Sequence, residues 1–192
     1  MVARICREGG GRVRTNIMLR DLDMELPHVG DARRLEVVVD GLPLHGGRQL
    51  AVDTTLVGVL HANGQPMRRT PDEDGVRLVA ARRRKERTHP ELVGRRGRAT
   101  LVVLAGEVGG RWSGETRSFL NQLAKARARS ESILMRKRVE QAWRLRWASM
   151  LSCVAARAVA SSLLDFRRPQ GADGATPPSH EVDREFRNAG LA

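Results

Sequence analysis

Two apolar runs in the first third of the chain each carry an acid where a strand ordinarily places valine or isoleucine. The first, Arg34-Leu35-Glu36-Val37-Val38-Val39-Asp40, reads as a strand closed by a turn at Gly41-Leu42-Pro43. The second, residues 48–57 with Leu50-Ala51-Val52-Asp53-Thr54-Thr55-Leu56-Val57, follows the loop His45-Gly46-Gly47 and completes a hairpin. A carboxylate among β-branched neighbours is costly to desolvate unless it is paired or holds a cation. Two such acids on adjacent strands, Glu36 and Asp53, are placed to share one hard cation through their oxygens.

The remaining pattern limits what can surround that hairpin. Pro71-Asp72-Glu73-Asp74 reads as an acidic helix start, and the helix is expected to run to about Thr88 with Val76, Val79 and Ala80 as its apolar side. Lys85 falls two turns beyond Leu78, so this helix can present it toward the strands, and Pro90 ends it. The unbroken apolar run Ala99-Thr100-Leu101-Val102-Val103-Leu104-Ala105 has the character of a strand buried on both faces. Ser113 is a capping residue for a helix carrying Phe119, Leu120 and Leu123 on one face and Lys125, Arg127 and Arg129 at its end. A longer helix is expected from about Glu131 to Leu164, where Trp143, Trp147, Leu151, Val154 and Ala158 recur at helical spacing. This order predicts an α/β fold organised as a partly ordered N-terminal remnant (1–30), an α/β core (31–128), a long C-terminal helix (129–166) and a disordered tail (167–192). Within 1–30, only a short helix or strand at 16–19 is expected.

Beyond these patterns, several blocks resemble one family. They are Cys6-Arg7-Glu8-Gly9-Gly10, Arg34-Leu35-Glu36, Leu50-Ala51-Val52-Asp53-Thr54-Thr55, Arg84-Lys85-Glu86-Arg87-Thr88-His89-Pro90-Glu91-Leu92 and Glu107-Val108-Gly109-Gly110-Arg111-Trp112. Together they resemble the restriction-like endonuclease of site-specific non-LTR retrotransposons, a branch of the PD-(D/E)xK nucleases found at the C-terminal end of reverse-transcriptase polyproteins. The resemblance implies a restriction-endonuclease-like mixed sheet flanked by helices and a Mg²⁺- or Mn²⁺-dependent DNA endonuclease that nicks for target-primed reverse transcription. It implies Glu36 and Asp53 as metal ligands, with the backbone carbonyl of Thr54 as a third oxygen. Lys85 would orient water or stabilise developing charge, and Arg84 is the alternative source of that charge. Glu107 is either a supporting acid or a cap for the Gly109-Gly110 turn. The chain departs from the family pattern at three places: Leu35 replaces proline, Glu36 replaces aspartate, and Thr55 stands where a basic residue is expected.

A formal charge of +12 over 192 residues points to a polyanion, double-stranded DNA first and RNA second, rather than a membrane. Arg82, Arg83, Arg84, Arg87 and Arg95 are the expected phosphate contacts. Two cysteines cannot build a disulfide framework; Cys153 reads as a core residue, and Cys6 with His28 makes at most half a zinc site. His45, His61 and His89 fall in expected loops and read as surface residues. The N-terminus has no secretory character, which suggests an intracellular protein, nuclear before cytoplasmic. Without a single tyrosine, the chain lacks the usual polymerase motif Tyr-x-Asp-Asp. Two alternatives to the nuclease stay open: a decayed nucleic-acid-binding remnant and a small basic scaffold associating through the long helix.

Overall fold

The apolar runs form strands in the computed structural model, which describes residues 1–22, 31–61, 63–94 and 99–166; for Asp165 and Phe166 only the backbone is described. The elements run α1 (Val2–Glu8), β1 (Arg12–Met18), β2 (Arg34–Asp40), β3 (Gln49–Val57), α2 (Val76–Thr88), β4 (Ala99–Glu107), α3 (Gly114–Arg127) and α4 (Ile133–Phe166). The four strands make one mixed sheet in the order β1-β2-β3-β4. β1–β2 and β2–β3 are antiparallel, whereas β3–β4 are parallel and joined through α2. The fold is therefore mixed α/β with a four-stranded sheet and, among the described residues, four α-helices.

Helices cover both faces, which explains why β3 and β4 read as continuous apolar runs. On one face α1, α3 and α4 bury Ile5, Phe119, Leu123 and Trp147 against Val37, Val39, Val52 and Leu104. On the other, α2 lays Leu78 and Ala81 over Ala51, Leu101, Val103 and Ala105. α3 starts where Ser113 predicts, with the Thr116 N–H donating to Ser113 Oγ at 3.1 Å. α4 meets the length and composition of a membrane-crossing helix. Its Trp147, Leu151, Val154 and Ala158 are nevertheless buried in the domain.

Several expectations need correction. Where only a short element at 16–19 was expected in a partly ordered N-terminal segment, α1 and β1 form and belong to the core, with Val2, Ile5 and Cys6 fully enclosed. Gly9 and Gly11 let the chain turn there at close quarters, since a Cβ at either would meet Leu123 or Val39 at 2.5 Å. α2 begins at Val76 after Gly75 (φ 72°), so the acids of 71–74 lie in preceding turns. Its buried residues are Leu78 and Ala81, while Val79 and Ala80 face solvent, because the sheet lies on the Leu78–Ala81–Lys85 side. Cys153 is exposed, on the outer side of α4. His28, Arg95 and the tail 167–192 lie outside the described residues.

Candidate active site

The strands β2 and β3 pair only over Val37–Val39 with Leu50–Val52. Beyond that point β2 continues beside β1, and β3 beside β4, so the sheet forks. Glu36 and Asp53 are the next residue on each side of the fork.

A local irregularity accompanies it. Leu35 packs in the α2-side cluster with Val38, whereas Val37 packs in the opposite one, so the two-residue alternation breaks at Glu36. Asn16, between the Thr15–Val37 and Ile17–Leu35 pairs, takes φ 56° on the neighbouring strand. Asparagine is among the residues that tolerate this left-handed geometry.

Glu36 reaches across the fork to β3. Its carboxylate accepts the Thr54 N–H at 2.9 Å and the Thr54 hydroxyl at 2.5 Å, replacing a ladder partner that β2 no longer supplies. Burial pushes the Glu36 pKa upward, the Thr54 hydrogen bonds oppose this, and the nearby Asp53 charge adds to it. Asp53 lies on the α2 side of β3, where Lys85 Nζ approaches both its oxygens, at 3.1 and 3.0 Å. Glu36, Asp53 and Lys85 line one cleft of about 290 Å³ together with Ala32, Arg33, Arg34, Thr88 and His89.

The far wall of the cleft is fixed by residues the sequence does not single out. Arg33 pairs with Asp31 and Glu91 and donates to the carbonyl of Thr88, tying the start of β2 to the end of α2. His89 is 3% exposed rather than on the surface, at the turn where α2 gives way to the short helical turn Pro90–Leu92. Its Nδ1 lies 4.0 Å from Glu91 Oε1, and both atoms are enclosed without a hydrogen bond. Burial lowers the His89 pKa, favouring the neutral ring. In the sequence, a histidine beside a helix-ending proline was the only available sign of it.

The other expected residues divide. Arg83, Arg84 and Arg87 are exposed on α2, with Arg84 in reach of Thr55 Oγ1 at 3.5 Å. Arg82 instead turns toward α3 and pairs with Glu115 at 2.6 Å and Glu86 at 3.0 Å. Its charge is committed within the protein, so it does not belong with the outward arginines. Glu107 stands at the far end of β4 opposite Val57, four residues past the position facing Asp53, and meets Arg111 at 3.6 Å. At about 3.3 Å per residue that removes it from the cleft.

The carboxylates lining the cleft are those of Glu36 and Asp53. Among the described residues, no three carboxylate, imidazole or thiol side chains gather. Mg²⁺ keeps several of its waters and binds through one or two carboxylates, and the cleft offers two. Comparison with protein-family models, with curated proteins and with solved structures finds no match.

Proposed function

We propose that this chain is a metal-dependent DNA endonuclease domain of restriction-endonuclease-like architecture, related to the nuclease part of non-LTR retrotransposons. The observation that carries the reading is the meeting of Glu36, Asp53 and Lys85 at one cleft, from three elements, at the only fork in the described sheet. Glu36 and Asp53 would hold Mg²⁺ or Mn²⁺, which when bound supplies charge neutralisation and an activated water at a phosphodiester. Lys85 stands at the rim of the acid pair, where a compact ammonium orients water and offsets charge developing on phosphate oxygens. The arginines of α2 on the same helix, Arg83, Arg84 and Arg87, would hold the phosphate backbone of duplex DNA, or of RNA, beside the cleft.

The test is nicking of supercoiled plasmid with Mg²⁺ or Mn²⁺, with Asp53→Asn as control. Conversion to open circle by wild type and none by the variant supports the reading; equal or absent conversion overturns it. A second reading, a nucleic-acid-binding protein without cleavage, has one observation in its favour. Both acids already have internal partners, Thr54 for Glu36 and Lys85 for Asp53. That reading predicts salt-sensitive DNA binding with no metal-linked change in stability.

A further inference from the structure

The corner between α3 and α4 carries a concentration of cations that the cleft does not use. Residues 125–146 contain eight lysines and arginines against two acids, Glu131 and Glu140. Among the described residues, Arg146 is the one of the eight that pairs with an acid, Glu8. Arg127 and Arg146 rest over the ring of Trp143, at 5.6 and 5.9 Å from its centroid, while Arg136, Lys137, Arg138 and Arg144 are exposed.

The position of these charges works against local stability. α4 begins at Ile133 with no acid in its first turn, and Arg136, Lys137 and Arg138 follow at once. Cations there meet the positive end of the helix dipole. Lys125 and Arg127, by contrast, sit at the favourable end of α3. A cluster kept against the helix dipole, with neither Glu131 nor Glu140 in ion-pair contact with Arg136, Lys137 or Arg138 among the described residues, is what an external polyanion explains.

Two anions of different kinds fit such a patch, a phosphate backbone and a lipid surface. The exposed apolar residues decide between them. Ile133, Leu134 and Met135 are consecutive, 78%, 90% and 45% exposed, and lie ahead of the basic triplet along the helix axis. A helix that lies on a membrane separates its apolar and basic sides around the axis instead. Arginine also predominates over lysine here, which suits bidentate contact with phosphate oxygens.

We propose that the α3–α4 corner is a second phosphate-binding surface for nucleic acid, outside the Glu36–Asp53–Lys85 cleft and independent of cleavage. Fluorescence anisotropy of the full chain with a short labelled DNA duplex, over a salt series, tests it. Replacing Arg136, Lys137 and Arg138 together by alanine should weaken binding at low salt at least tenfold. It should also reduce the slope of log K against log salt by about three. An Arg136→Lys, Arg138→Lys variant should keep the wild-type slope, and circular dichroism of the triple variant should match wild type, since all three side chains are exposed. The same loss on an RNA duplex is expected of backbone contacts; a loss on one duplex alone assigns the surface to that nucleic acid. An unchanged slope and affinity overturns the proposal. So does a triple variant that keeps DNA binding but no longer binds vesicles containing phosphatidylserine. Because nicking is not the readout and Asp53→Asn leaves this corner intact, failure here is separable from failure of the nuclease reading.

Discussion

Lys85 holds both carboxylate oxygens of Asp53, at 3.1 and 3.0 Å, across 32 positions of sequence. Both side chains are only 12% exposed, so each serves as the other's main counter-charge. A divalent cation at Asp53 must therefore share the carboxylate with an ammonium already in place.

That competition separates the two residues experimentally. Lys85→Ala should leave metal-linked thermal stabilisation at least as large as in wild type, because Asp53 gains a free carboxylate. Nicking should nevertheless fall by about two orders of magnitude or more, since the ammonium acts mainly on charge developing in the transition state. Asp53→Asn should abolish both, and should cost about 2–4 kcal/mol even without metal by stranding a largely enclosed ammonium. Thermal melts with and without Mg²⁺, run beside plasmid nicking, check all three outcomes. A Lys85→Ala protein that loses its metal response would contradict the assigned roles.

Glu36 makes a pH prediction of opposite sign to that of most acids. Its folded pKa is raised, chiefly by burial, so the unfolded chain releases this proton first. Its contribution to stability is thus greatest at low pH and falls as pH climbs from about 4.3 toward the folded value. Other acids in the protein run the other way, so the informative quantity is the wild-type minus Glu36→Gln difference in unfolding free energy. That difference should decline across the window without metal and flatten when Mg²⁺ is added. A difference that rises with pH would mean Thr54 satisfies Glu36 more fully than burial penalises it.

Much of this was legible because the informative residues contradict their surroundings. Glu36 and Asp53 stand out as acids in apolar strands, and Lys85 follows from helical spacing beyond Leu78. The strands 34–40 and 49–57 lie where alternation and length place them. The fork itself was not legible, because pairing register depends on where β1 and β4 draw the two strands apart. β1 was hidden for a related reason: Arg12, Arg14, Thr15 and Asn16 face solvent at an edge, leaving little apolar pattern to read. α1 is a short helix of seven residues stabilised by docking rather than by its own propensity. Arg33 and His89 were not legible as cleft residues, since Arg33 joins its neighbour Asp31 to Thr88 and Glu91, 55 and more residues on, and the burial of His89 is set by tertiary packing.

One acid ties α1 to α4. Glu8 accepts from the Trp147 indole N–H at 2.9 Å and from Arg146 at 2.8 and 3.1 Å. The Arg146 hydrogen bonds, with smaller help from Trp147 and Arg4, bring its pKa down to about 2 against the opposing effect of burial. A lowered pKa means stability that is present above about 4.3 and lost as pH falls toward 2. Tryptophan fluorescence should shift to the red over that range in wild type. Glu8→Gln should remove most of this pH dependence and cost about 1–2 kcal/mol at neutral pH, a modest figure because Arg146 is exposed. An unchanged acid transition in Glu8→Gln would show that α1 is held by Val2, Ile5 and Cys6 alone.

Gly106 tests how β4 passes into α3. A Cβ there would meet the Trp112 ring at 2.7 Å, and the two residues are also bridged through their backbones. Trp112 in turn packs against the Leu56–Ala155–Ala158 cluster, so its ring cannot retreat without opening that contact with α4. Gly106→Ala should therefore cost about 1–3 kcal/mol by overpacking and lower the melting temperature by several degrees. Trp112→Leu alone should also destabilise, by removing the ring from the cluster. In the double variant the alanine should cost markedly less than it does beside tryptophan, giving a coupling energy of about 1 kcal/mol or more. Because Gly106 pairs with Leu56, three residues along β3 from Asp53, the cleft should keep its geometry and its metal response in all three variants. Additive costs would place the strain of Gly106→Ala in the backbone rather than against Trp112.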